Sequence, residues 1–218
     1  MTARLAAIVL IASLSTAVGA DEPKPVPEKF RVKFETSAGD FVIEVIRKWA
    51  PIGADHFFHN VDRGFYDECR FFRVVPGFVV QFGIAGDPAV QKEFGEKNLQ
   101  DEDVVASNMR GFVTYAKSAA PNSRTTQLFI NLGDNARLDQ DGFSPFGRVV
   151  EGMDIVDRIN AEYGGKPSNR QTLIERHGNK YLNRRFPNLD YVKKAIIVKD
   201  DAAENPESVA PAETTDAE

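Results

Sequence analysis

The chain has 218 residues, 42% of them hydrophobic and 10% aromatic. That is enough for one domain with a sizeable core and too few for two large ones. With 27 Lys and Arg against 32 Asp and Glu, and a formal net charge of -5, it lacks the overall basic field of a nucleic-acid binder. Its one cysteine, Cys69, excludes an internal disulfide and a cysteine-built metal site.

Arg4 precedes the apolar run Leu5–Val18, and small residues end it at Val18-Gly19-Ala20. The run is shorter than the ~20 residues that span a bilayer, so it reads as a signal peptide cleaved after Ala20. An uncleaved membrane anchor is the alternative. Export would end in a periplasm, outside the cell or, in a eukaryote, in an organelle lumen, with no stable membrane insertion after cleavage. Pro23, Pro25 and Pro27 make 21–29 a stiff, extended spacer.

Phe30 to Thr36 alternates apolar and polar, Ala38-Gly39-Asp40 is a turn, and Phe41 to Ile46 returns, so the domain opens with a β-hairpin. Pro51 starts a helix to about Arg63, with Ala54, Phe57, Phe58 and Val61 on one face and Gly64 ending it. Strand-like runs follow at 70–75, 78–82, 111–116, 127–131, 144–150 and 195–199, and residues 152–160 suit a short helix. Many short antiparallel strands with few helices predict a closed barrel. Residues 160–194 differ: Ser168 and Gln171 fit a capping box, Leu173, Ile174, His177 and Tyr181 fit one helix face, and Phe186-Pro187 stops the helix. This predicts an added helical segment before the last strand of a domain spanning 30–199. Residues 200–218 hold seven acidic and no basic side chains. They read as a disordered tail, either solubilising or docking on a partner.

The run Gly64-Phe65-Tyr66-Asp67, then Phe71-Phe72-Arg73-Val74-Val75-Pro76-Gly77-Phe78-Val79-Val80-Gln81-Phe82-Gly83, resembles the signature of cyclophilin-type peptidyl-prolyl isomerases. Two further blocks fit in order: Pro121 to Ile130, and Leu138-Asp139 through Phe146-Gly147-Arg148 to Met153. The resemblance implies a mainly β fold, an eight-stranded antiparallel barrel capped by two helices, and isomerisation of X–Pro bonds without a cofactor.

The chemistry follows from the bond. Rotation about an X–Pro amide meets a barrier of ~18–20 kcal/mol because the nitrogen lone pair is delocalised into the carbonyl. No bond is made or broken, so a catalyst needs no nucleophile, metal or general base. It must hold the twisted amide better than either planar form. Twisting returns a lone pair to the proline nitrogen, and a fixed guanidinium can donate to it. Arg73 is the candidate. The resemblance further implies an apolar slot for the ring from Phe78, Val79, Phe129 and Leu138, with Gln127 and Phe143 beside it. It gives Gln81 the tasks of orienting Arg73 and bonding the substrate backbone, and Ala116–Lys117 that of pairing with the residue before proline. From spacing alone, Phe78, Phe129 and Leu138 read as core, and Arg73 as an exposed, ion-paired strand residue.

The sequence departs from the family at Phe72, where His is frequent, and at Val79, where Met is common. Lys117-Ser118, Arg137 and Phe143 depart as well. Other constellations are weaker. His56 and His59 lie three apart on the predicted helix, without an evident third metal ligand. Cys69 follows Asp67-Glu68, an acidic setting that disfavours a thiolate. Arg176, Lys180, Arg184, Arg185, Lys193 and Lys194 form a basic cluster, either a solvated face or a docking face. The expected protein is therefore an exported prolyl isomerase acting on proline-containing polypeptides as a monomer, with no cofactor and no nucleic-acid partner. The alternatives are a non-catalytic proline-peptide-binding module on the same fold and an anchored envelope protein.

Overall fold

A computed structural model describes residues 24–95 and 97–198. The expected signal peptide at 1–20, the start of the expected spacer and the acidic stretch at 200–218 lie outside the described residues. Strands β1 (Lys29–Thr36) and β2 (Asp40–Ile46) form the opening hairpin, and helix α1 (Pro51–Asp62) follows. Then come β3 (Arg73–Val75), β4 (Val79–Phe82), α2 (Pro88–Gly95), β5 (Phe112–Tyr115), β6 (Leu128–Asn131) and α3 (Arg137–Gln140). β7 (Pro145–Glu151), α4 (Met153–Arg158), α5 (Gln171–Arg185) and β8 (Val192–Val198) complete the order.

All eight strands join one antiparallel sheet in the order β3-β4-β6-β5-β7-β2-β1-β8. The sheet curls around a core dense in phenylalanine. Phe34 stacks on Phe41 at 5.1 Å, and Phe57 of α1 reaches Phe146 of β7 at 5.1 Å. Strand alternation sends Phe30, Val32 and Phe34 inward.

Closure differs from expectation. The edge strands β3 and β8 form no ladder with each other; they meet through the single bridge Arg70–Tyr191. The predicted strand 70–75 therefore shortens to β3, because residues 68–71 turn toward the other edge. There the Glu68 and Phe71 amides donate to the Val192 and Asp190 carbonyls at 2.8 and 3.0 Å. The barrel is curled but not zipped along its seam.

The helices also exceed the two capping helices and the added helical segment expected: α2 and the single-turn α3 lie between β4 and β7. The capping box does not form. A 3-10 turn at Pro167–Arg170 intervenes, and Ser168 donates its hydroxyl to the Gly165 carbonyl instead. Nor is there one continuous helix face. Gly178 (φ 54°, ψ -147°) breaks α5, His177 is exposed, and Ile174 and Leu182 are buried. Gly178 must lack a side chain, since a Cβ there would lie 2.1 Å from the Gly86 carbonyl oxygen. Next to it the Asn179 amide donates to that carbonyl at 2.8 Å, tying the added segment to the loop after β4.

Glu102 organises the start of α1. Its carboxylate accepts from the Ile52 and Gly53 amides at 2.6 and 3.0 Å, and from buried Arg124 at 2.8 Å. These are the free donors of a helix N-terminus, to which a negative charge is well matched. Cys69 is fully buried, and burial first, then Asp67, push its thiol up. That leaves it out of reach of an intermolecular disulfide.

His56 on α1 is half-buried with its Nε2 atom unpartnered. Burial first, then the charge of Lys97, lower its imidazole to about 4. The unfolded imidazole titrates near 6.5, so between about pH 6.5 and 4 the unfolded chain binds a proton that the folded chain refuses. Stability is therefore complete above that window and declines as pH falls through it, by up to about 3 kcal/mol. Urea unfolding of His56→Gln should show a smaller loss of midpoint than the parent between pH 7 and pH 4.

Candidate active site

β3, β4 and β6 lie side by side, and their register sorts residues into two rows. Arg73 stands opposite Gln81, and Gln81 opposite Phe129. One residue along, Val74, Val80 and Ile130 are partners, and all three lie in the barrel core. Successive side chains in a strand point to opposite faces. Burying the valine row therefore sends Arg73, Gln81 and Phe129 together to the outer face.

On that face Val79, Phe129 and Leu138, exposed by only 1%, 5% and 9%, form an apolar cluster separate from the core. Phe78, Ala116 and Phe143 pack at its margin, Phe143 meeting the Phe129 ring edge-on at 5.7 Å. The slot residues thus come together as a site wall rather than as barrel core. The Phe78 amide donates to the Val75 carbonyl at 2.9 Å across Pro76-Gly77, and Gly77 takes φ 72°. That is the chemistry of a turn with proline first and a left-handed residue second. It brings the Phe78 ring to 5.4 Å from the Arg73 guanidinium carbon, while that of Arg137 lies 5.0 Å from the same ring.

Arg73 is half-buried and has no ion pair among the described residues. Burial lowers its pKa from the ordinary guanidinium value, yet arginine stays cationic at neutral pH. Its Nη1 donates to Gln81 Oε1 at 3.1 Å, Gln81 Nε2 to Gln127 Oε1 at 2.9 Å, and Gln127 Nε2 to Gln171 Oε1 at 3.0 Å. The relay leaves each amide one orientation, with the Gln81 oxygen toward Arg73. Ala116 donates its amide to the Gln127 carbonyl at 2.9 Å, so its carbonyl is the group left to offer a peptide. Lys117, Gln81, Gln127 and Gln171 line a hollow of about 320 Å³ beside it, and the Lys117 ammonium lies 5.7 Å from the Phe143 ring.

Sequence reasoning missed what holds the slot. Asn108, fully buried, donates through Nδ2 to Asp139 and to the Phe143 carbonyl, each at 2.8 Å, and accepts from the Thr114 hydroxyl at 2.8 Å. Asn135 donates to the Phe78 carbonyl at 2.9 Å and to Asn131 at 2.8 Å. Burial alone would raise the Asp139 carboxyl, but hydrogen bonds from Ser107 and Asn108 hold it below its ordinary value. This polar frame fixes Phe78, Leu138 and Phe143 from behind. Gln171 was missed too. It lies 44 residues from Gln127, and no local pattern links them.

The family model for cyclophilin type peptidyl-prolyl cis-trans isomerases matches residues 31–178. The chain belongs to the cyclophilin-type peptidyl-prolyl cis-trans isomerases. It is 36% identical over 133 residues to peptidyl-prolyl cis-trans isomerase A of Dickeya dadantii, covering 59% of this chain and 70% of that protein. It is 33% identical over 150 residues to isomerase B of Escherichia coli, covering 65% and 91%. The crystal structure of a Cryptosporidium parvum cyclophilin shares the fold, with a TM-score of 0.60, 20% identity and coverage of 79% of this chain and 99% of that one.

Within the cyclophilin frame, Phe72 has a specific use. It is fully buried and clusters with Ile84, Ile174, Leu182 and Leu189, so it anchors the added segment beside Arg73. Asn108→Ala would leave Asp139 and the Phe143 carbonyl short of donors. It should cost about 2 kcal/mol of stability and raise KM for an X–Pro peptide more than it lowers kcat, read from denaturant unfolding and exchange kinetics.

Proposed function

We propose that Arg73 is the catalytic residue of this isomerase and that the Val79–Phe129–Leu138 slot, rimmed by Phe78, receives the substrate proline. One observation carries this: an unneutralised guanidinium stands on the same outer face as an apolar cluster the fold core does not use. With the ring held in the slot, the carbonyl side of the X–Pro bond is free to swing. As the amide twists, its nitrogen turns pyramidal and presents a lone pair. Arg73 donates a hydrogen bond to that nitrogen, and the bond is strong only in the twisted state. A charge-assisted bond of this kind lowers the barrier by on the order of 2–4 kcal/mol. Gln81 keeps Arg73 aimed without neutralising it, since an amide oxygen accepts but carries no formal charge. The Ala116 carbonyl pairs with the residue before proline.

The substrates are proline-containing polypeptides. A solved cyclophilin of Cryptosporidium parvum was crystallised in the presence of the dipeptide Ala-Pro, with 21% identity and a TM-score of 0.59. The leader at residues 1–20 supports action on chains folding outside the cytoplasm, in a periplasm or beyond the cell. Sequencing the mature N-terminus should find Asp21; an intact Met1 in the membrane fraction would reject export by cleavage.

Arg73→Ala should fold as the parent does and slow catalysed exchange in a short X–Pro peptide at least about tenfold, which is 1.4 kcal/mol of transition-state stabilisation. An unchanged rate would remove Arg73 from the mechanism. Circular dichroism on the same sample separates lost chemistry from lost fold.

A further inference from the structure

Residues 163–171 form a second wall against the outer face. The Val74 amide donates to the Gly164 carbonyl at 3.1 Å, so the wall covers the exposed edge of β3. Gln171 closes the glutamine relay from the same wall. Behind it, Phe72 packs on Ile174, Leu182 and Leu189. Contacts of three kinds thus hold one segment beside Arg73.

Between this wall and the strands lies a cleft of about 530 Å³. Arg73, Gln81, Lys166, Ser168, Asn169 and Gln171 supply its polar lining, and Val75 is its one apolar side chain. Among the described residues, two cations face this cleft and no carboxylate does. Among the described residues, neither Arg73 nor Lys166 forms an ion pair. Arg137, beyond Phe78, adds a third positive charge to the same face. The cleft shares Arg73 and Gln81 with the polar edge of the proline slot, so a chain whose proline fills the slot passes its mouth.

We propose that residues 163–171 build a subsite that selects an acidic side chain, Asp or Glu, close to the isomerised proline. This rests on the assignment of the Arg73 face as the substrate face. Lys166 and Asn169 are its specificity residues: the ammonium attracts the carboxylate, and the amide orients it. Lys166 is exposed, so the attraction is screened by salt.

The full chain should be titrated with short X–Pro peptides carrying Glu or Lys in turn at the two positions on either side of proline. At one position or more, Glu should bind about fivefold more tightly than Lys, and the gap should close at high salt. Lys166→Glu should abolish or invert the preference. Arg184→Glu, the same charge change at an exposed position on α5 away from the cleft, should keep it. Equal affinity for Glu and Lys at every position overturns the subsite, as does an Arg184→Glu effect equal to that of Lys166→Glu. Exchange rates measured on the same peptides keep the two assignments apart. Acid preference without catalysed exchange upholds the subsite and refutes the role of Arg73, and exchange without preference overturns the subsite alone.

Discussion

A guanidinium that no carboxylate among the described residues neutralises is the costly feature of this fold, and much of the surrounding architecture holds it in place. Partial burial makes Arg73 harder to keep charged and strengthens the hydrogen bonds it makes, because fewer waters compete for its hydrogens. A carboxylate partner would hold the side chain equally well, but its charge would cancel the positive field on this face. A chain of neutral amides avoids that. Gln81, Gln127 and Gln171 pass orientation from one to the next, and the guanidinium stays free to donate.

The slot depends on a different balance. Three apolar side chains on the outer face of a sheet would ordinarily be a weak patch. Here a buried polar frame makes them rigid. Asn108, Asn131, Asn135 and Asp139 exchange hydrogen bonds among themselves and with the carbonyls of Phe78 and Phe143. Such networks are stabilising only when their members are satisfied, and then they specify one geometry. Local turn chemistry at Pro76-Gly77 and the tertiary frame thus agree on where the Phe78 ring stands.

The added segment builds one wall beside Arg73. Phe72 precedes β3 and leaves the barrel core to Phe71 and Val74; it joins a small core of its own with the segment's Ile174 and Leu182. A phenylalanine suits this place, since an imidazole would put a polar ring among aliphatic neighbours. Gly178 against Gly86 provides the second anchor, where two backbones approach too closely for any side chain.

Local sequence pattern alone determined the opening hairpin and α1. Those features depend on period-two alternation, on Pro51, and on turns closed within four residues, so the information is local. The family motif singled out Arg73 and the slot residues as candidates, which spacing alone would have assigned to an ion pair and to the core. Only the tertiary structure decided that the barrel seam is a single bridge, that Ser168 does not cap α5, and that Asn108 and Gln171 belong to the site. Each of these joins residues tens of positions apart. Their partners are selected by where the folded strands bring them, and a linear pattern carries no record of that.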